Sequence, residues 1–206
     1  YYTVHTATGG SGAAGVTISP ESVEARSGAN SGEIIATIDP GYTFTNWTAD
    51  PTITITSPND PTTTVRATGE GTLIANATAN SYTVHFDGNG NTGGLMNDMS
   101  ALTYGVAFKL TANAFTKTGY TFAGWATEAA GAVAYTDGQL VYNLTDVNNG
   151  TATLYAKWTP NQYTVTLDKQ TSAEGYGGNA GSVTDQTVTF DATLATVSGI
   201  MPTAKD

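Results

Sequence analysis

Asp87-Gly88-Asn89-Gly90-Asn91 puts an oxygen-bearing side chain at every second position, which is how a calcium-binding loop begins. That pattern calls for Gly at the sixth position and Glu at the twelfth, and here those places hold Thr92 and Asp98. Asn-Gly steps are equally the composition of a tight hairpin turn, because both residues accept a positive φ. The turn is the preferred reading, and no metal ligand is assigned. His5 and His85 occupy equivalent places in two similar segments, and neither has a second histidine to share a metal. They read as surface or half-buried residues of strands. A Ser-His-acid triad needs its nucleophile on a strained turn, and no Gly-x-Ser-x-Gly occurs. The seventeen acids are scattered through turns and read as solvated charge rather than as a glycosidase pair. Lys157 and Lys169, with Asn and Asp nearby, raise the chemistry of an intramolecular isopeptide bond, but without a diagnostic spacing. No catalytic or cofactor-binding residue is assigned, no cofactor is expected, and the chain is not expected to be an enzyme.

The remaining chemistry is aromatic. Gly119-Tyr120-Thr121-Phe122-Ala123-Gly124-Trp125 has an earlier counterpart in Gly41-Tyr42-Thr43-Phe44-Thr45-Asn46-Trp47. Such rings can stack on sugars, yet a module of this size has few other large hydrophobes to bury, so they read first as core. Residues two apart share a face of a strand, so Tyr120 and Phe122 should point together, as should Tyr42 and Phe44. Trp125 falls on the opposite face unless Gly124 permits a bulge.

These strands must be held by something that also repeats. Thr72-Leu73-Ile74-Ala75 and Thr153-Leu154-Tyr155-Ala156 follow the two aromatic segments. Tyr2-Thr3-Val4-His5, Tyr82-Thr83-Val84-His85 and Tyr163-Thr164-Val165-Thr166 recur at spacings of 80 and 81. The organisation is therefore two full modules, 1–80 and 81–160, and an incomplete third, 161–206, with only an opening hairpin. A module of about 80 residues can bury one modest core. The third copy of the aromatic strand would fall past residue 206. That fragment is expected to be disordered, packed as an added hairpin on the second module, or completed by residues elsewhere.

Alternating, β-branched segments dominate. Strands are expected at 1–8, 15–19, 22–26, 33–38, 52–56, 62–67, 73–78, 82–87, 104–111, 151–158, 163–168, 182–190 and 195–198, besides the two aromatic ones, with a glycine-rich turn through 175–181. Leu95 to Leu102 could hold one helical turn with Met96 and Met99 on one side, and 129–149 is open to a short helix or a loop. Thr159-Pro160-Asn161-Gln162 is a hinge too short for free tumbling, so neighbouring modules should sit end to end at a restricted angle.

The net charge is −10, divided as −5, −2 and −3 over the three segments. No Lys/Arg cluster offsets it, which argues against nucleic acid and anionic lipid as partners. Without cysteine there is neither a disulfide scaffold nor a thiolate site. Only 12% of residues are charged, and solubility rests on Thr, Ser, Asn and Gly. No signal peptide, transmembrane run or lipidation motif is present, so membrane insertion is not expected. The chain looks like a segment of something longer.

Tyr82-Thr83-Val84-His85-Phe86-Asp87-Gly88-Asn89-Gly90, Gly119 to Trp125 and Thr153-Leu154-Tyr155-Ala156-Lys157-Trp158-Thr159, in that order, resemble the internalin B-repeat, also called the Listeria-Bacteroides repeat. Residues 1–79 resemble a divergent copy with Asn76-Ala77 in place of the closing Lys-Trp, and 163–206 match the front half only. The resemblance implies a mainly β to α+β chain of tandem, small β-grasp-like modules, in which a mixed sheet packs on a short helical or irregular segment. A plain β-sandwich stays open for the first module. It further implies an extracellular, cell-surface bacterial protein whose repeats act as a stalk, an adhesive element or a fibre. Its partners would be neighbouring repeats, identical chains, or a host or cell-surface protein or glycan. A glycan-binding module is the alternative from a different class. It would need an exposed aromatic platform or a calcium-dependent cluster.

Overall fold

The computed structural model describes residues 1–166 and 185–192. The expectations that fall on Lys169, on the turn through 175–181 and on 195–198 lie outside these residues. The chain is mainly β, and among the described residues the sole helical element is one 3-10 turn, Ala13–Gly15. Contacts group it into two compact units. One comprises 1–87, 97–112 and 137–154; the other comprises 88–96, 113–136 and 155–206. This division runs through the second repeat rather than between repeats.

In the first unit, a four-stranded sheet has the order Ser22–Ala25, Tyr2–Gly9, Gly71–Ala79, Tyr42–Ala49. The opening strand Tyr2–Gly9 and the closing strand Gly71–Ala79 lie parallel at its centre, and the outer pairings are antiparallel. Strict alternation along the closing strand buries Leu73, Ala75 and Ala77. A three-stranded sheet of Val16–Ser19, Ile34–Ile38 and Thr62–Thr63 supplies Ile34, Ala36, Val16 and Ile18 to the same core as Val4, Trp47 and Leu73. Trp47 is its largest member, 2% exposed, with Phe44 packed against it at 5.8 Å between ring centres. The same unit holds the second opening hairpin, Ser81–Asp87 with Met99–Thr103, which buries Tyr82, Val84 and Phe86.

The closing strand of the second repeat, Gly150–Pro160, is divided between the two units. Within the second unit, Tyr120–Ala126 runs antiparallel to the 155–160 half of the closing strand. Trp125 is fully buried there, ringed by Phe122 at 5.0 Å and Phe115 at 6.3 Å.

The bulge expected at Gly124 is present, and it occurs in both repeats. Phe122 pairs with Trp158 and Gly124 with Lys157, leaving Ala123 without a cross-strand partner. In the first repeat Phe44 pairs with Ala77 and Asn46 with Asn76, which leaves out Thr45. The extra residue moves the tryptophan to the face of the phenylalanine. Gly124 is required at its site for a further reason. Its φ is 139°, and a Cβ there would meet Val133 Cγ1 at 2.6 Å and the Tyr135 carbonyl at 2.7 Å.

Two expectations are corrected, and one left open is decided. Leu95 to Leu102 holds no helical turn, because Met99–Thr103 is taken up as the hairpin partner of Ser81–Asp87, with Ala101 at φ 56° where the register shifts. The strand expected over 104–111 is only Phe108–Lys109, paired with Leu140–Val141. Of the two readings open for 129–149, the loop is found, with Leu140–Val141 as its one short strand. In each case pairing with a distant segment decided the conformation over local preference.

Trp125→Ala should destabilise the protein by about 3–5 kcal/mol, the range for emptying a packed aromatic site. Deleting Ala123, which returns Trp125 to the solvent face, should cost at least as much. Equilibrium denaturant unfolding followed by tryptophan fluorescence measures both. A deletion variant as stable as the parent would show that the bulge does not set the core.

Candidate functional site: the repeat junctions

Between the closing strand of the first repeat and the opening strand of the second lies one residue, Asn80. Asn161 stands in the same place between Pro160 and Gln162. The expected hinge is thus a single asparagine.

Asn80 is 6% exposed, and each of its polar groups that the surroundings could leave stranded has a partner. Its N–H donates to the Gly41 carbonyl at 2.9 Å, and its own carbonyl accepts from the Tyr104 N–H at 2.8 Å. The side-chain oxygen accepts from the Thr43 hydroxyl at 2.6 Å, while the side-chain amide donates to the Asp146 carbonyl at 2.7 Å. A buried amide satisfied on all sides holds its neighbours to one geometry. Around it the Tyr42 and Tyr104 rings meet edge to face, 5.4 Å apart at 77°. Gly41 has a φ of 86°, and a Cβ there would fall inside the Tyr104 ring, so no other residue fits without displacing it.

The second junction is the same object. Asn161 N–H donates to the Gly119 carbonyl at 2.9 Å, and Phe190 N–H donates to the Asn161 carbonyl at 2.8 Å. The Thr121 hydroxyl donates to the Asn161 side-chain oxygen at 2.7 Å. Tyr120 and Phe190 meet edge to face at 5.5 Å and 74°. Gly119, at φ 78°, lies directly under the Phe190 ring. Two contacts are added. The Tyr120 hydroxyl donates to Asp191 Oδ2 at 2.7 Å, and the Lys117 ammonium sits 4.7 Å from the Tyr120 ring centre. The hydrogen bond to the Asp191 carboxylate, with some desolvation and the carboxylate's charge behind it, holds the Tyr120 phenol above its ordinary pKa. Of the three outcomes open to the third fragment, its described part takes the second: an added hairpin, Gln162–Val165 with Gln186–Thr189, packed on the second repeat's aromatic strand.

Tyr42 and Tyr120 are therefore not core residues, contrary to expectation. They are half-buried at the junctions, while Trp47 and Trp125 hold the cores. No signal within one repeat marks this; comparing the repeat spacing with the asparagines between repeats could have.

The other sequence candidates are placed plainly. Asn89 turns inward, its amide donating to the Ala129 and Ala156 carbonyls at 3.0 Å each, and Asn91 donates to the Gly93 carbonyl at 3.0 Å. The calcium-like stretch is a turn that spends its amides on the backbone. His85 pairs with Asp98 at 2.7 Å on the surface, and His5 is exposed. The Lys157 ammonium donates to the Ala129 carbonyl at 3.4 Å. A groove of about 720 Å³ lined by His5, Thr6, Val16, Ile18 and Glu21 contains no tyrosine, tryptophan or phenylalanine. The aromatic trios themselves are spent on packing.

The profile of the Listeria-Bacteroides repeat domain matches residues 2–76 and 82–157. A protein of Evansella cellulosilytica, named "Putative Gly-rich membrane protein", is 30% identical over 137 residues, which are 62% of this chain and 15% of that protein. The match thus spans a small part of that relative's length. No solved structure matches the chain significantly.

Asn80→Asp should cost about 1–3 kcal/mol, since a carboxylate cannot donate to the Asp146 carbonyl and its charge would be buried. Thermal or denaturant unfolding reads this, and an unchanged midpoint would refute the role given to the amide. Tyr120 favours its protonated form in the folded state, so its junction bond is fully present below the unfolded phenol pKa of about 10 and is lost as pH rises through the higher folded value. Difference absorbance titration against Tyr120→Phe should show a late-titrating phenol that Asp191→Asn moves back down. No movement in that variant would refute the Asp191 bond.

Proposed function

This chain belongs to the Listeria-Bacteroides repeat family, a repeat family of bacterial surface proteins, and from that premise we propose that it is a non-catalytic extracellular segment serving as a stalk or fibre-forming element. Its partners on this reading are the neighbouring repeats and identical chains. The observation that carries the proposal is the double occurrence of one junction, with the same asparagine, threonine, glycine and edge-to-face ring pair in each. A segment that spends its aromatic rings and its single-residue linkers on joining repeats is built to hold distance and direction rather than to handle a ligand.

The strand order of the first repeat supports a finer reading. Its opening and closing strands lie parallel at the centre with antiparallel partners outside, and we read that sheet as β-grasp-like. We read each of 1–80 and 81–160 as one such module and 161–206 as the front of a third. No helix among the described residues is long and apolar enough to cross a membrane.

The test is accessibility on intact cells of the source organism. An antibody raised against residues 1–160 should label unpermeabilised cells, and surface proteolysis should remove the epitope. Labelling that appears only after lysis would overturn the extracellular reading.

A further inference from the structure

Both junctions carry an aromatic ring at the bend of the incoming hairpin, and the first hairpin of the chain makes that informative. Ala25, Leu102 and Val188 lie opposite Tyr2, Tyr82 and Tyr163 in the three opening hairpins. Two residues further on, the equivalent positions are Ser27, Tyr104 and Phe190. Each is followed by a left-handed residue, Gly28 at φ 82°, Gly105 at 79° and Asp191 at 60°, so the backbone bend is common to all three. Only the ring is missing from the first. Ser27 is exposed, and the nearby Arg26 guanidinium lies 5.2 Å from the Tyr1 ring centre.

We propose that the start of each aromatic strand, Gly41-Tyr42-Thr43 and Gly119-Tyr120-Thr121, is an acceptor for the opening hairpin of the repeat that follows, and that an aromatic ring at the Tyr104 and Phe190 position is the donor that decides whether the two lock. The partner this surface fits is an opening hairpin bearing Tyr or Phe at that bend, entered through an asparagine. A β-hairpin with serine there, such as the first hairpin of this chain, has the bend without the donor. The coupling therefore has a direction: each repeat's aromatic strand is clamped by its C-terminal neighbour.

The physical basis is complementary shape at a point where the backbone is bare. Gly41 and Gly119 present main chain to the incoming ring, and the adjacent tyrosine supplies the second wall at 5.4 and 5.5 Å. The ring in turn shields two hydrogen bonds of the asparagine from water: its N–H to the glycine, and its carbonyl from the ring residue's N–H. Serine can make the second bond through its backbone, but cannot exclude water from either.

Amide hydrogen exchange of the full chain, resolved by NMR, tests this apart from any question of cellular location. Tyr104→Ser should speed exchange at Asn80 and Tyr104's position by about tenfold or more while Asn161 and Phe190 stay protected, and Phe190→Ser should do the reverse. Tyr104→Phe should restore protection, because the ring and not the hydroxyl is the donor. Unchanged exchange at Asn80 in Tyr104→Ser, or equal acceleration at both junctions, would overturn the proposal. If Tyr104→Ser does not fold, the Phe190→Ser measurement decides alone by the same criterion.

Discussion

The residue left without a cross-strand partner in each aromatic strand, Thr45 or Ala123, governs the rest of the structure. It resets the two-residue alternation in mid-strand, so one short segment serves two purposes. After the bulge, the tryptophan enters the core beside the phenylalanine. Before it, the glycine and tyrosine stand at the end of the sheet, where the next hairpin arrives. Without that shift the tryptophan would face solvent, and the first repeat would lose the largest side chain of its core.

The two repeats reach this result with different side chains. Trp158 in the second repeat meets Phe122 edge to face at 5.6 Å and donates its indole N–H to the Gly88 carbonyl at 3.0 Å, tying the turn to the closing strand. Ala77 stands in that place in the first repeat. There the glycine-rich turn closes in instead: Gly12 N–H donates to the Ala77 carbonyl at 3.0 Å, and a Cβ on Gly10 would collide with that same oxygen. A bulky residue on the strand goes with an asparagine turn, and a small one goes with bare backbone. The divergence at Asn76-Ala77 thus changes the local filling and leaves the bulged pairing of aromatic and closing strands alone.

The junctions explain why compactness does not follow the repeats. Asn80 and Tyr104 bind the second opening hairpin to the first aromatic strand, and both fall in the first compact unit. Asn161 and Phe190 do the same for the third hairpin within the second unit. The first unit thus holds the first repeat, the second opening hairpin strands and residues 137–154, so its bounds do not coincide with those of a sequence repeat.

Much of this was legible in the sequence. The mainly β class and the bulge at Gly124 follow from alternation and one glycine, which act over a few residues; the repeat is visible as recurring motifs, and the family as the resemblance of those motifs. The role of Tyr42 and Tyr120, the strand at Met99–Thr103 and the asparagine at each joint were not. They depend on partners distant in the chain: Thr43 lies 37 residues from Asn80, and Asn80 lies 66 from Asp146. Alternation says that two rings share a face, but whether that face meets a core or an incoming hairpin is set by what the folded chain brings opposite, and that only the tertiary structure decided.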